Sequence, residues 1–332
     1  MASTLASSHA AARPDDLRSR RQGARRKRTR QRLTVLSFMA PVALGIGMFF
    51  VYPLITAVWF SLHQFSILSE PVWVGLYNYQ VALHDPYLKQ AITNTLWLVV
   101  IMVPAQVLFG LGTGMLLVTM RRSASVYRTV FYLPALVPPV AATLAFVYVL
   151  KPGFGPVNTL LKKIGIEGPG WFNDPGWAKP SLTLLALWGI GNTMVIFLAA
   201  LMDIPASLME AAALDGANAW QRFRHVTLPT LSPVIVFTTI TGIIATLQYF
   251  TQAAVAGAVA SGQVTAGGNS ATNNFGYPQG STFTYPLWIY LQGFPYGHLG
   301  YANALAVLLF VAAFAVIAVV LKRAKSFHGE AS

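Results

Sequence analysis

The sequence predicts an all-α polytopic membrane protein with six transmembrane helices. Only 10% of its 332 residues are charged and 55% are hydrophobic, whereas a soluble domain carries about 25% charged residues. Several uncharged runs exceed the roughly 20 residues that an apolar helix needs to cross a bilayer. The chain contains no cysteine, which excludes disulfides, thiolate metal sites and a cysteine nucleophile. The six candidate spans cover residues 34–60, 91–119, 129–150, 181–202, 232–254 and 301–321.

Residues 1–32 precede the first span and are strongly basic. They hold ten of the 23 Lys and Arg residues, most densely at Arg25–Arg28. Such a block could bind nucleic acid or anionic lipid. Because a span follows directly, we interpret it as a disordered cytoplasmic tail that fixes the orientation of the protein. The first span lacks a small-residue cleavage site and is predicted to be an uncleaved anchor.

The distribution of basic residues predicts that both termini are cytoplasmic. In that orientation 18 Lys and Arg residues lie inside and five outside, in agreement with the positive-inside rule. Residues 151–180 carry four of those five, and we keep them outside because reversing this loop would break the alternation of the other segments. The remaining domains are then a transmembrane domain at 33–323 and a cytoplasmic C-terminal tail at 324–332.

Glycine and proline interrupt several spans. Pro138-Pro139 lies inside the third span, and a proline in a helix leaves backbone carbonyls that need other partners in lipid. In the second span, Gly110 and Gly114 have the GxxxG spacing that lets two helices approach closely. A phosphate-binding loop is excluded there, because an apolar span lacks the necessary strand. Bent helices around a polar path are therefore predicted.

Residues 226–321 contain no Asp, Glu, Lys or Arg. A Gly/Ser/Asn-rich stretch at 255–284 is predicted to be an extracytoplasmic loop. Aromatic residues such as Trp288 and Tyr296 cluster after it, which favours an interfacial segment at the outer face of the membrane. A re-entrant segment is the alternative for this cluster.

Residues 203–230 carry several charges between two apolar runs and predict two short helices that face water. Ser207 and Glu210 have the spacing of a capping box for the first helix. Asp215-Gly216 is predicted to end this helix, because glycine tolerates the left-handed conformation that commonly closes helices. The second helix is predicted at 217–226, with prolines separating it from the next span. We call residues 203–230 the hook.

The hook resembles the EAA loop of permease subunits from ATP-binding-cassette (ABC) importers. Flanking segments, Tyr127–Pro134 and Gly300–Ala304, resemble the carbohydrate-uptake branch of that family, which includes maltose, multiple-sugar and glycerol-phosphate permeases. The resemblance covers roughly residues 33–323 and implies a type I ABC importer permease fold with a cytoplasmic EAA coupling loop, in the cell inner membrane. The pattern consists of Glu210-Ala211-Ala212, Asp215-Gly216-Ala217, Phe223, Val226 and Leu228-Pro229.

The resemblance implies that the chain translocates a sugar or oligosaccharide that an extracytoplasmic solute-binding protein delivers. It further implies a second, homologous permease subunit and a dimer of ABC ATPase subunits. ATP and Mg²⁺ would bind to those ATPases, while this chain would bind no cofactor and no nucleic acid. Glu210 would meet an arginine in a cleft of the ATPase. The residues implied in ATPase coupling are Glu210, Ala211, Ala212, Leu214, Asp215, Gly216, Ala217, Phe223 and Pro229.

The sequence itself contains no recognisable catalytic constellation or metal site. Its histidines are scattered without metal-ligand spacing, and a Walker lysine motif is absent, so ATP hydrolysis is assigned to a separate subunit. The predicted spans contain no ionisable residue, which disfavours an ion-coupled secondary carrier. Three alternatives remain. The first is such a secondary carrier, the second is an ABC permease for a glycerol or sugar phosphate, and the third is a membrane scaffold that acts through its basic tail.

Neutral polar and aromatic side chains inside the spans form the predicted substrate pathway. Amides and rings suit an uncharged polyhydroxylated ligand, by hydrogen bonds and by stacking on sugar faces. Each of them could instead bond a neighbouring helix backbone or mark a membrane interface. The candidates are Asn94, Trp97, Gln106, Asn192, Gln248, Tyr249 and Asn303.

Overall fold

The computed structural model describes residues 34–66, 68–120, 124–262 and 276–329, most of which are helical. The chain divides into two units, residues 1–59 and 60–332. The basic tail at 1–32 lies outside the described residues. In the first unit, residues 34–59 are helical and expose their large apolar side chains.

Among the described residues, four helices are long and apolar enough to cross a membrane, and the total is six if each of two bent helix pairs is counted as one further span. This agrees with the predicted six-span, all-α fold. The single helices are α1 (Thr34–Ser61), α3 (Pro86–Thr119), α10 (Ala219–Leu247) and α13 (Leu299–Gly329). The bent pairs are α4 (Ala124–Tyr132, continued by a 3-10 turn at Leu133–Leu136) with α5 (Pro139–Val149), and α7 (Pro175–Trp188) with α8 (Gly191–Met202).

Short elements connect these spans. They are the antiparallel strands β1 (His63–Gln64) and β2 (Val72–Trp73), and helices α2 (Tyr77–His84), α6 (Pro156–Lys163), α9 (Ala206–Leu214), α11 (Thr251–Ala260) and α12 (Tyr285–Gly293). The two-residue strands were not predicted, and His63 pairs there with Trp73.

The two bent pairs have different local causes. Helices α4 and α5 meet at 99°, where Val137 has an extended backbone (ψ 130°) because the following Pro138 disfavours helical geometry at the preceding residue. This interruption was predicted. Helices α7 and α8 meet at 51° around Gly189, and this second bend was not predicted.

Helix α3 is the central element of the second unit. Its N-terminus is capped by Asp85, whose Oδ1 accepts hydrogen bonds from the amides of Tyr87 (2.9 Å) and Leu88 (3.2 Å). Further along, a Cβ added at Gly110 would lie 2.8 Å from Thr193 Cγ2 of α8, and one added at Gly114 would lie 3.3 Å from the Leu198 amide nitrogen. The predicted GxxxG spacing thus does bring two helices together.

Several predicted boundaries were wrong. The span predicted at 232–254 stops at Leu247, and the chain resumes at Thr251 as α11, which runs to Ala260 in the stretch 255–284 that was predicted to be a loop. Helix α11 is made of small residues, and six of its ten side chains are buried, so packing rather than composition decides its structure. The predicted C-terminal tail at 324–332 is helical as far as Gly329.

The aromatic cluster after residue 284 forms helix α12, which packs on α3 and α13. Trp288 is buried, and its indole Nε1 donates a hydrogen bond to Asp85 Oδ2 at 2.8 Å. Tyr301 donates a second hydrogen bond to the same oxygen at 2.7 Å. Trp288 therefore belongs to the core, while Phe294 and Tyr296 remain exposed, as expected of an interfacial segment.

Candidate functional site

The hook has the predicted helix–turn–helix form. Helix α9 ends in a Schellman motif, in which the Ala217 amide donates to the Ala212 carbonyl (2.9 Å) and the Gly216 amide donates to the Ala213 carbonyl (3.1 Å). This arrangement needs a left-handed residue at the turn, and Gly216 has φ +79°. The sequence prediction for Asp215-Gly216 is therefore confirmed.

The capping box predicted at Ser207 and Glu210 is wrong. Helix α9 begins two residues earlier than that box requires, with Pro205 in the cap position and no side-chain capping bond. A capping box does occur at the next helix, where Asn218 Oδ1 accepts from the Gln221 amide (2.9 Å) and Gln221 Oε1 accepts from the Asn218 amide (2.8 Å). Glu210 is consequently free of a capping role.

The second hook helix does not end before the membrane. It is the first part of α10, which runs without interruption from Ala219 to Leu247 through a π-helical turn at Phe223–Thr227. The predicted separation at Pro229 and Pro233 is thus wrong. A proline removes one backbone hydrogen bond and bends a helix, but packing of the flanking residues keeps this one continuous.

The outer face of the hook exposes apolar and charged groups together. Leu214 is 90% exposed and Trp220 is 64% exposed. The Glu210 side chain is exposed, and within the described residues its carboxylate makes no hydrogen bond or ion pair. A notch of about 330 Å³ opens beside the turn. Its walls are Ala212, Asp215, Gly216, Ala217, Gln221, Arg222, His225 and Val226.

One packed cluster connects the hook to the core. Phe223 and Leu228 pack against a group of buried residues from three helices, namely Leu111 of α3, Phe197 of α8 and Leu231 of α10. Because closely packed interiors transmit displacement rather than absorb it, a movement of the hook displaces these helices together.

A cavity of about 650 Å³ lies where three helices are interrupted. Its walls include residues on both sides of the α4–α5 bend, of the α7–α8 bend and of the gap between α10 and α11. Interrupted helices free backbone carbonyls, which within a membrane are tolerated where they line a polar cavity. Gln106, Asn192, Gln248 and Tyr249, four of the seven predicted pathway residues, line it.

Tyr249 is the most constrained of these four. The residue is only 9% exposed, and its hydroxyl has no hydrogen-bond partner among the described residues. Leaving a buried hydroxyl unpaired costs roughly 1–3 kcal/mol. Tyr249 therefore combines an unsatisfied buried hydroxyl with a place in the lining of the cavity.

The other three predicted pathway residues do not line this cavity. Asn94 Nδ2 donates to the carbonyls of Gly280 (2.7 Å) and Phe283 (3.0 Å), which holds the 276–284 segment against α3. Asn303 Nδ2 donates within its own helix to the Leu299 carbonyl. Trp97 packs between helices, with its ring centroid 5.5 Å from the Lys179 ammonium.

Sequence reasoning missed two polar residues of this region. Gln252 lines the cavity from the first turn of α11, on the other side of the gap that separates α10 from α11. Lys179 was placed in a loop, but α7 begins at Pro175 and includes it. The Asp174-Pro175 pair, a helix cap followed by a proline, would have identified this earlier start.

The sequence and the fold are similar to those of known transport proteins. Residues 106–326 match the family described as binding-protein-dependent transport system inner membrane component. The chain is 32% identical over 294 residues to the sulfoquinovosyl glycerol transport system permease protein SmoG of Agrobacterium fabrum, covering 88% of this chain and 90% of that protein. It is 34% identical over 260 residues to the lactose transport system permease protein LacF of Rhizobium radiobacter, and this match covers 76% of this chain and 80% of that protein.

A solved structure has a similar fold. It is a bacterial ABC transporter involved in the import of the acidic polysaccharide alginate, with a TM-score of 0.74 and 20% sequence identity. The match covers 90% of this chain and 98% of that one.

Proposed function

Because the chain belongs to the family of binding-protein-dependent transport system inner membrane components, we propose that it is the membrane permease of an ATP-driven importer for a sugar or oligosaccharide. Two of its relatives are named as permeases for saccharides, sulfoquinovosyl glycerol and lactose. One observation supports the proposal above all: helix α10 joins an exposed hook to a polar cavity.

The hook is the proposed docking surface for an ATPase subunit. The chain has no phosphate-binding motif of its own, so ATP and Mg²⁺ would bind to that partner. Exposed Leu214 and Trp220 supply apolar contact area, and the unpaired Glu210 carboxylate is available for a basic side chain of the ATPase. A second permease subunit and an extracytoplasmic binding protein would complete the transporter.

Helix α10 is the proposed lever between ATP hydrolysis and transport. It starts in the hook at Ala219 and ends at Leu247, directly before Gln248 and Tyr249 on the cavity wall. At 1.5 Å per residue, its 29 residues span about 43 Å. When the ATPases close, displacement of the hook would therefore shift the cavity wall and alternate its access between the two faces.

The cavity is the proposed saccharide site within the membrane. Amide groups of Gln106, Asn192 and Gln248 can both donate to and accept from sugar hydroxyls. The unpaired hydroxyl of Tyr249 adds a further group, and the apolar walls contact the sugar faces. A cavity of about 650 Å³ lies within the 300–1,000 Å³ typical of small-molecule sites.

Energy dependence tests the proposal. Cells lacking this chain are complemented with it, and uptake of a panel of labelled mono- and oligosaccharides is measured. We expect at least one saccharide to be taken up only when this chain is present, with uptake stopped by ATP depletion and kept when an ionophore removes the proton and sodium gradients. Uptake that survives ATP depletion but stops when the ionophore is added would identify a secondary carrier.

A further inference from the structure

Lys179 is a cation embedded among neutral groups. It lies in the second turn of α7, and its Nζ donates a hydrogen bond to Asn94 Oδ1 of α3 at 3.0 Å. The same ammonium lies 5.5 Å from the centroid of the Trp97 ring, one turn further along α3. Both partners are uncharged, so neither neutralises the lysine.

Within the described residues, no carboxylate lies within 4.0 Å of this ammonium. Among the undescribed residues, 121–123 and 263–275 contain no Asp or Glu, and the acidic residues are Asp15, Asp16 and Glu330 in the terminal segments. The two acidic residues nearest in sequence on the same helices have other roles. Asp174 accepts from the Gly176 amide as the cap of α7, and both oxygens of Asp85 are occupied by hydrogen bonds at the start of α3. Within the part of the chain that the structure describes, the positive charge of Lys179 therefore has no carboxylate partner.

Helix geometry places this charge near the cavity. Ala186 lies seven residues after Lys179, on the same face of α7, and lines the cavity. Met102 lies eight residues after Asn94 on α3 and lines it as well. At 1.5 Å per residue, Lys179 stands roughly 10 Å along the helix axis from the cavity wall. It lies at the end of α7 opposite to the hook, which follows the C-terminus of α8.

We propose that Lys179 selects the substrate by charge, binding a carboxylate, sulfonate or phosphate group of an acidic saccharide on its way into the cavity. This inference rests on the proposed function and narrows it from saccharides in general to anionic ones. It also replaces the neutral pathway that the sequence predicted, because that prediction depended on placing Lys179 in a loop.

The hydrogen-bond inventory separates this role from a purely structural one. Asn94 already holds the 276–284 segment through its two amide hydrogens, so it does not need the lysine for that purpose. A lysine ammonium has three donors, and only one is used within the described residues. Two donors and a full charge remain for a ligand, and Trp97 offers a ring face on which a sugar can stack.

The test uses the assembled transporter, purified through the full-length chain and reconstituted with its binding protein in proteoliposomes. Import is measured for acidic saccharides and their neutral counterparts. Digalacturonate is compared with galactobiose, and 6-deoxy-6-sulfoglucose and glucose 6-phosphate are compared with glucose. Lactose is a further neutral member of the panel. We expect at least one acidic saccharide to enter about tenfold faster than its neutral counterpart. Lys179→Gln should slow that import at least tenfold, and Lys179→Arg should retain it within about threefold.

Two controls keep this test independent of folding. Lys89→Gln removes the same charge from an exposed lysine at the start of α3 and should leave import unchanged. Because the chain has no cysteine, Lys179→Cys can be modified after purification with an aminoethyl or an uncharged methyl methanethiosulfonate, the wild-type transporter being treated in parallel. Only the aminoethyl group, which restores the charge, should restore import of the acidic saccharide.

Each contrary outcome overturns the inference in a different way. Faster import of the neutral members would show that the charge does not select substrate. A preference for the acidic members that persists in Lys179→Gln would place selection in the binding protein. In both cases the proposed function stands, whereas the absence of import for every saccharide in the panel would overturn that function itself.

Discussion

At the scale of single residues, two side chains stand out because their polar groups have no protein partner in the described part of the chain, one in the cavity wall and one in the hook. Tyr249 has a buried hydroxyl, and Glu210 has an exposed carboxylate. A buried hydroxyl such as that of Tyr249 would gain free energy by pairing if it served only the fold, and the exposed Glu210 carboxylate is accessible to a partner protein. The two residues are therefore the most direct tests of substrate contact and of ATPase contact.

Replacing Tyr249 with phenylalanine should reduce transport without harming the fold. The change removes an unpaired buried hydroxyl and keeps the ring, so the thermal midpoint of the purified chain should stay the same or rise. Saccharide uptake at equal membrane abundance should fall about tenfold, which corresponds to one lost hydrogen bond of about 1.4 kcal/mol.

Tyr285→Phe is the matched control for that substitution. Its hydroxyl donates to the Leu305 carbonyl at 2.9 Å, away from the cavity. We expect the opposite pattern, a stability loss of about 1 kcal/mol with unchanged uptake per molecule. Normal uptake by Tyr249→Phe would remove Tyr249 from the substrate pathway.

Glu210→Gln should abolish coupling to the ATPase, whereas Ser207→Ala should have little effect. Helix α9 uses neither residue as a cap, so the charge of Glu210 is free to pair with a basic residue of the partner. Leaving that residue unpaired in the interface would cost about 2–5 kcal/mol. Uptake and stimulated ATPase activity are measured at matched abundance, and a fully active Glu210→Gln variant would contradict the docking role.

At the scale of elements, the hook and α10 form one mechanical unit. The Schellman turn fixes α9 against the start of α10, and the Phe223 cluster fixes α10 against α3 and α8. Loosening the turn should therefore separate ATP hydrolysis from transport while the spans remain folded.

Gly216→Val tests this unit, with Gly216→Asn as the matched control. Gly216 has φ +79°, a conformation that costs a β-branched residue about 1–3 kcal/mol but that asparagine tolerates. A Cβ at this position would meet no neighbouring atom, so the difference between the two variants reports backbone strain alone. Co-purification with the ATPase should be lost in the valine variant and kept in the asparagine variant; equal behaviour would exclude the strained turn as the cause.

At the scale of the whole molecule, the central prediction concerns orientation. The excess of Lys and Arg on one side predicts cytoplasmic termini and a cytoplasmic hook. Helix α7, which carries Lys179, would then begin at the extracytoplasmic face, where a substrate arrives.

Single cysteines at positions 167 and 214 report this orientation, because the chain has no cysteine of its own. Both positions are exposed. An impermeant maleimide should label position 167 in intact cells and position 214 only after permeabilisation. Cells without the partner ATPase serve as the control for shielding of position 214, and labelling in the reverse order would invert the topology.

The sequence by itself determined the helical membrane fold, the six spans and the hook. These depend on local properties, because hydrophobic length decides whether a helix can cross a bilayer and glycine at position 216 decides where the hook turns. Pro138 likewise marked the α4–α5 bend, since the constraint that it places on Val137 acts between neighbours. The family resemblance rested on the same short-range pattern and was confirmed.

Only the tertiary structure decided which polar residues share a site. Gln106, Asn192, Gln248 and Tyr249 come from three different spans, and they meet because three helices are interrupted at the same depth. Asn94 was predicted to line the pathway because it is equally polar, but its amide group donates hydrogen bonds to backbone carbonyls almost 190 residues away in the sequence. Packing also decided that α10 continues through Pro229 and Pro233 and that α11 is buried. Such packing overrides the local conformational preference of a residue and cannot be read from its neighbours in the sequence. Lys179 depends on both the sequence and the fold. Its charge was visible in the sequence, whereas its neutral neighbours Asn94 and Trp97 are brought to it only by the fold.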